Sequence, residues 1–155
     1  MTEIIPEKVC GYIDGDFVAL LFGMRINKLW KLHKWLPIII AMDRMLEELT
    51  AQPVSGFLGS ISSRFLIVHW RSFKHLEAYA RSTDYKHWPA WINFNRRMAR
   101  SQADVGIWHE TYSISAGQYE AIYRSMPRFG LGQAGNISPA TKRKATTCGR
   151  IDVEK

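Results

Sequence analysis

Histidine and tryptophan are concentrated between residues 66 and 91, in the run LIVHWRSFKHLEAYARSTDYKHWPAW. A strand-like stretch ends at Trp70, and Ser72 then occupies the position expected for a helix N-cap. A polar break leads to His87 and Trp91 at the start of a second helical pattern. Imidazole can act as a general base or as a haem ligand near neutral pH. This layout can build a small aromatic pocket, and the alternative for His87 is a structural histidine bonded to a backbone group.

A second group of polar and aromatic residues lies in the strand-like segment 105–115, VGIWHETYSIS. Alternation along a strand places Trp108, Glu110 and Tyr112 on one face of a sheet and His109 on the other. Either face could line a cavity, and His109 is as consistent with a hydrogen-bonded core histidine as with a catalytic one.

Three further side chains have chemistry that suits a binding site. Tyr119 and Tyr123 share one face of a predicted strand over 119–126, where paired phenols can hold a substrate oxygen, although ordinary packing is favoured. Arg25, at the end of the first predicted strand, can anchor an anionic group or form a surface ion pair.

The hydrophobic pattern predicts strands over 16–26, 56–62, 65–71, 105–115 and 119–126, and helices from Pro37 to about Leu49, over 73–81 and over 89–100. Residues 1–15 are expected to be a polar lead-in. Beyond residue 132 the chain becomes rich in Gly, Ser, Thr and charge. We therefore expect a single domain over 1–132 and a basic, extended or mobile tail over 133–155.

The order β-α-β-β-α-α-β-β predicts a ferredoxin-like α+β fold, with an antiparallel sheet and helices on one face. The other face of this sheet is apolar and needs cover. A second copy of the chain would supply it, so we expect a homodimer that forms a dimeric α+β barrel.

Composition limits the classes of partner and cofactor. The net charge of +7 is spread along the chain without a nucleic-acid-binding motif, so we expect no nucleic acid partner. No signal peptide and no membrane-spanning run is visible, so a cytoplasmic protein without a membrane partner is expected. The two cysteines are far apart, and no metal, dinucleotide or phosphate-loop motif occurs. We therefore predict no metal, flavin or nicotinamide.

Several blocks of the chain resemble a known family. They are FGMRINKLWKLHKWLP (22–37), HWRSFKHLEAYAR (69–81), HWPAWINFNRR (87–97), GIWHETY (106–112) and YEAIYRSMPRFGLG (119–132). The family is a set of monooxygenase-like proteins related to the antibiotic-biosynthesis-type monooxygenase of the fumagillin pathway, in the dimeric α+β barrel superfamily. The resemblance covers most of 16–132. It implies that Trp70 and His87 face the cavity, with His87 as the base.

The resemblance implies a small monooxygenase that uses dioxygen on a hydrophobic or aromatic small molecule without a cofactor. The expected catalytic residues are His87, His109, Tyr112 and Tyr123, and the expected substrate-binding residues are Arg25, Trp70, Trp91, Trp108 and Tyr119. Two alternatives remain open. One is a haem-binding enzyme, either a haem-degrading monooxygenase or an aldoxime-dehydratase-like lyase. The other is a non-catalytic protein that binds a hydrophobic ligand.

Overall fold

A computed structural model describes residues 3–51, 56–62, 65–84, 88–89, 92, 96 and 103–141. Within these ranges the strands are β1 (Val9–Tyr12), β2 (Phe17–Ile26), β3 (Phe57–Ser62), β4 (Phe65–Trp70), β5 (Val105–Ile114), β6 (Ile122–Tyr123) and β7 (Asn136–Pro139). The helices are α1 (Leu32–Ala51), α2 (Phe73–Arg81) and a short helix, Leu131–Ala134. Residues 88, 89, 92 and 96, which belong to the predicted helix 89–100 or adjoin it, are helical.

The main sheet has four antiparallel strands in the order β3-β4-β2-β5. This is the order of a ferredoxin-like sheet, in which a later strand is inserted between two strands joined by a crossover helix. Both α1 and α2 pack on one face of it. The structure therefore confirms the predicted α+β class, with helices on one face of an antiparallel sheet.

Local sequence explains both long helices. Ser72 caps α2 with extended backbone, and its side chain accepts a hydrogen bond from the His75 N–H. The sequence predicted that the helix begins at Pro37. Helix α1 instead begins at Leu32, so Pro37 lies inside the helix and not in its first turn. Pro37 has no N–H to donate to the carbonyl of His33. Among the described residues, no helix is long and apolar enough to cross a membrane.

The larger core lies between the main sheet and the two helices. Trp70 is only 1% exposed, and its ring packs against Tyr79 at 5.2 Å and Phe57 at 5.8 Å between ring centroids. Val18 and Leu66 extend this core along the sheet, and Leu49 of α1 closes it. Burial of these side chains holds the helices against the sheet.

Part of the opposite face is covered by segments for which sequence analysis predicted other structure. A small sheet in the order β6-β1-β7 and the short helix lie there, and Tyr119, Leu131 and Ala134 pack on a core of Ile13, Phe17 and Ala19. The expected polar lead-in thus contains the buried strand β1. The expected tail contains β7, while residues 142–155 lie outside the described residues.

The predicted strand over 119–126 is wrong in extent. The strand β6 spans only Ile122 and Tyr123, and it pairs with β1. The hydroxyl of Tyr119 donates to the Ile13 carbonyl at 2.9 Å and accepts from the Ile13 N–H at 2.6 Å. Those bonds hold the segment across the sheet face, and Ser125, just beyond β6, has a left-handed φ of 53°.

A buried carboxylate joins the end of β2 to the start of β5. The side chain of Asp104 is only 3% exposed and forms ion pairs with Lys28 at 2.8 Å and Lys31 at 2.7 Å. Its backbone carbonyl accepts hydrogen bonds from the N–H groups of Asn27 and Lys28. The hydrogen bonds from Lys28 and Lys31 lower the pKa of Asp104 to about 2.

Asp104 should make stability dependent on pH in acid. Its pKa falls from an ordinary value of 3.8 to about 2 on folding, so its contribution is complete above about pH 4 and is lost towards pH 2. We expect Asp104→Asn to lower the melting temperature by roughly 5 °C at neutral pH. The gap between the variant and the unmodified chain should close between pH 4 and pH 2. Thermal melts of both proteins across this range test this, and a gap that is unchanged at pH 2 would contradict it.

Candidate functional site

The part of the main sheet that faces away from the helices carries an exposed group of aromatic and polar side chains. We call it the open face. It consists of Leu21 from β2, Phe65 and Ile67 from β4, and Trp108, Glu110 and Tyr112 from β5. Directly paired residues on neighbouring strands point to the same side, and the pairs Leu21–Ile67 and Leu21–Glu110 place these strands in register. Phe65, Trp108 and Tyr112 are each between 41% and 48% exposed.

The indole of Trp108 lies across Gly23, its partner on β2. A Cβ atom at position 23 would lie within 2.8 Å of three atoms of the indole, including Nε1. Because only glycine leaves this space, the ring can lie against the sheet beside Phe65, which pairs with Gly23 from the other side. The result is an aromatic floor at one end of the open face.

Glu110 and Tyr112 form a polar pair on this otherwise apolar surface. The hydroxyl of Tyr112 donates to Oε2 of Glu110 at 2.5 Å. This hydrogen bond, followed by the negative charge of Glu110, raises the pKa of the Tyr112 phenol. Tyr112 therefore stays protonated at neutral pH, and the carboxylate retains a second oxygen that can accept a proton or a hydrogen bond. Such a pair can hold a hydroxyl or carbonyl group of a ligand lying on the aromatic floor.

The structure brings Arg25 to the same side of the sheet. It lies two residues beyond Gly23 on β2, opposite Gly106, and it is exposed. Alternation gives it the same orientation as Leu21, about 7 Å along the strand from the Trp108 row. Arg25, Trp108 and Tyr112 thus share one surface, as a substrate site would require.

Two other predicted residues lie on the helix side of the sheet. Trp70 is part of the core between the sheet and the helices, so it does not line the open face. His109 pairs with Phe22, a residue of the helix-facing side, and it is exposed. The orientation that sequence analysis left undecided is therefore settled: Trp108, Glu110 and Tyr112 face away from the helices.

The predicted tyrosine pair belongs to the cover of the sheet. Tyr119 packs edge-on against Phe17 at 5.0 Å, and its hydroxyl is engaged by the backbone of Ile13. Tyr123 is half-buried; burial raises its pKa, and its hydroxyl accepts a hydrogen bond from the Gly132 N–H at 3.1 Å. Both tyrosines hold backbone segments in place, which agrees with the packing role that the sequence favoured.

His87 and Trp91 lie outside the described residues. The expected base and one expected cavity wall therefore stay predictions that rest on the resemblance and on their position in the sequence.

Two residues without a predicted role occupy notable positions in the structure. Glu110 lies between Trp108 and Tyr112 on the open side of β5, and the alternation in WHETY was the signal that could have identified it. His69 lies on the same side of the sheet, where it pairs with Ala19. His69 is buried, and its side chain forms a hydrogen bond with the backbone of Gly59. Its Nδ1 atom has no hydrogen-bond partner among the described residues. Burial lowers the pKa of His69, which keeps the imidazole neutral.

The described residues contain no group of three or more His, Cys, Asp or Glu side chains that could hold a metal ion. A cleft of about 140 Å³ lies at one end of the main sheet, lined by residues that include Asp16, Arg71 and Phe73. It is smaller than the roughly 300–1,000 Å³ typical of small-molecule sites. The open face, which is a surface and not a cavity in the single chain, is therefore the better candidate.

Among solved structures, the chain is similar to aldoxime dehydratase in complex with butyraldoxime. The TM-score is 0.60 and the sequence identity is 16%. The match covers 87% of this chain and 42% of the dehydratase, so this chain spans less than half the length of that protein. At this identity the likeness shows the fold alone. No curated protein matches the chain significantly.

A sequence model for the family described as monooxygenase af470-like matches residues 17–131. The matched segment begins at the first residue of β2 and ends at the start of the short helix. It thus contains the whole main sheet and every residue of the open face. The chain belongs to the monooxygenase af470-like family.

Proposed function

We propose that this protein is a small monooxygenase that oxidises a hydrophobic, aromatic or enolic molecule on the open face, without flavin or nicotinamide. The observation that carries this proposal is the Glu110–Tyr112 pair beside Trp108, on a sheet face that is otherwise apolar. An aromatic floor favours a flat, apolar substrate, and one polar pair at its edge fixes the orientation of a substrate oxygen. Membership of the monooxygenase family supports the reaction class.

The chemistry needs a substrate that can itself supply electrons. An activated CH₂ group loses a proton to a base, and the resulting carbanion gives one electron to dioxygen. The radical and superoxide then combine, and the hydroperoxide loses water: R₂CH₂ + O₂ gives R₂C=O + H₂O. On the open face, Glu110 can accept a proton. Once Glu110 is protonated it no longer needs the Tyr112 proton, and Tyr112 can donate its single O–H to a developing oxyanion. His87 stays the alternative base suggested by the family resemblance.

We further propose that a second copy of the chain covers the open face. Three aromatic side chains with exposures above 40% lie together there, and an exposed apolar cluster of this kind marks an interaction surface. A facing sheet would exclude water from the polar pair, which strengthens its electrostatic effect on a bound substrate. A light-scattering mass of one chain at micromolar concentration would contradict this arrangement.

The function is tested by oxygen uptake with a panel of anthrones and cyclic 1,3-diketones, each with an activated CH₂ group, under ¹⁸O₂, with the purified protein and no added cofactor. We expect one labelled oxygen atom in the product and the other in water. A folded protein that binds members of the panel but consumes no oxygen with any of them would favour the alternative of a non-catalytic binding protein.

The competing proposal is a haem enzyme with the fold that this chain shares with aldoxime dehydratase. Among the described residues, no histidine is exposed on the open face as a haem ligand, because His69 is buried and His109 points to the helix side. The candidate axial ligands named from the sequence are His109 and His87. Titration with haemin separates the two proposals. A sharp one-to-one Soret band that shifts in His109→Ala or His87→Ala would replace the cofactor-free proposal.

A further inference from the structure

A group of exposed apolar side chains lies at the start of α1, in a part of the sequence separate from β5 of the open face. Trp30 is 74% exposed and Leu29 is 67% exposed. Leu32, Leu36 and Ile40 follow at intervals of four residues, so they share one face of the helix, and all three are exposed. We call these five residues the α1 patch. A tryptophan and a leucine that are both exposed to solvent in one turn indicate an interaction surface.

The turn that presents Leu29 and Trp30 is held in place from several sides. The Lys31 N–H donates to the Lys28 carbonyl at 3.1 Å, and the indole N–H of Trp35 donates to the Leu29 carbonyl at 3.1 Å. Lys28 and Lys31 are both ion-paired with buried Asp104. Leu29 and Trp30 are therefore exposed on a backbone that hydrogen bonds and ion pairs hold in place. Because this backbone is already ordered, less conformational entropy is lost when the two side chains bind a surface.

The charged side chains within the patch segment have one sign. Residues 27–42 contain Lys28, Lys31 and Lys34 and no carboxylate. Lys28 and Lys31 keep 38% and 33% of their side-chain surface exposed although both contact Asp104, whose own side chain is 3% exposed. The exposed face of α1 changes character after Ile40, where the mixed charges of Asp43, Arg44 and Glu47 follow. The apolar and cationic end of the helix is therefore distinct from its other end.

We propose that the α1 patch docks on an anionic lipid surface, with Leu29 and Trp30 inserted at the boundary between headgroups and acyl chains. Tryptophan, leucine and lysine in one segment are the combination found in helices that lie in that interface. The sequence led us to expect no membrane partner, because no run can span a bilayer, but docking on the surface needs no spanning segment. This inference is independent of the proposed oxygenase activity. Docking would also place the protein beside a reservoir of hydrophobic molecules.

Co-sedimentation with large unilamellar vesicles tests the proposal. The probes are vesicles of pure phosphatidylcholine and vesicles of phosphatidylcholine with phosphatidylserine, each at low and high salt. We expect binding to the anionic vesicles that weakens as salt rises. The double variant Leu29→Ser/Trp30→Ser should bind at least tenfold more weakly, and Lys34→Gln about fivefold more weakly. Ile4→Ser, which removes an exposed apolar side chain elsewhere, is the matched control and should bind as the unmodified chain does.

A second measurement does not depend on the double variant. Brominated phosphatidylcholine quenches tryptophan within the bilayer, so it should quench the unmodified protein in anionic vesicles, and Trp30→Phe should lose most of this quenching. Absence of binding to anionic vesicles, or equal binding by the double variant and the Ile4 control, would overturn the proposal. So would sedimentation velocity without lipid that shows self-association abolished by the double variant, because a second copy would then occupy the patch.

Discussion

Replacing Trp70 with alanine should destabilise the protein by about 3–5 kcal/mol, the range observed when a buried aromatic residue is truncated to alanine. Trp70 is 1% exposed and packs against Phe57 and Tyr79, so truncation removes these contacts and leaves a cavity in the core. For a chain of this length the loss corresponds to a fall in melting temperature of roughly 10 °C. Urea unfolding and thermal melts measure it.

Trp108→Ala is the matched control, because it removes the same side chain from the open face. Trp108 is 41% exposed, so its truncation should cost about 1 kcal/mol or less at the same protein concentration. If Trp70→Ala does not fold, Trp70→Phe keeps the comparison, and we expect a smaller loss with the same sign. Equal stability of Trp70→Ala and the unmodified chain would contradict the core role of Trp70.

Replacing Glu110 with glutamine should lower the rate of oxygen uptake by about 10²-fold while the fold is retained. A positioned acid or base typically contributes about 10²–10⁴-fold, and glutamine keeps the shape of the side chain but accepts no proton. Tyr112 would still have an oxygen to which it can donate, so the geometry of the pair is preserved. Steady-state oxygen consumption with the best substrate of the panel measures the effect.

Thr111→Val is the matched control for Glu110, since Thr111 is the next residue on β5 and points to the helix side, opposite Leu20. Its rate should stay within about twofold of the unmodified chain. If Glu110→Gln keeps its full rate and His87→Ala loses at least tenfold, the base is His87, and the open face serves in binding alone.

Much of the main sheet could be predicted because its signals are local. The helix Phe73–Arg81 was predicted with its observed bounds, since Ser72 is a strong N-cap and the apolar spacing that follows is helical. Alternation in β5 correctly placed Trp108, Glu110 and Tyr112 on one face. Composition and element order together were enough for the α+β class.

The parts that the sequence could not supply depend on contacts between distant residues. The strands β1, β6 and β7 have two to four residues each and form through pairing with one another, so their local patterns are weak. Tyr119 is held on the sheet by its hydrogen bond to the backbone of Ile13, which is 106 residues away in the sequence. The acidic partner of Lys28 and Lys31 was likewise not evident from residues near them.

The sequence by itself determined the parity of each long strand, that is, which residues share a face. Only the tertiary structure decided which of the two faces the helices cover. Trp70 and Trp108 illustrate the difference, because both are strand tryptophans and both were expected to line a cavity. Alternation is symmetric between the two sides of a sheet, and the side that is buried is fixed by where α1 and α2 pack. That packing places Trp70 in the core and leaves Trp108, Glu110 and Tyr112 on the open face.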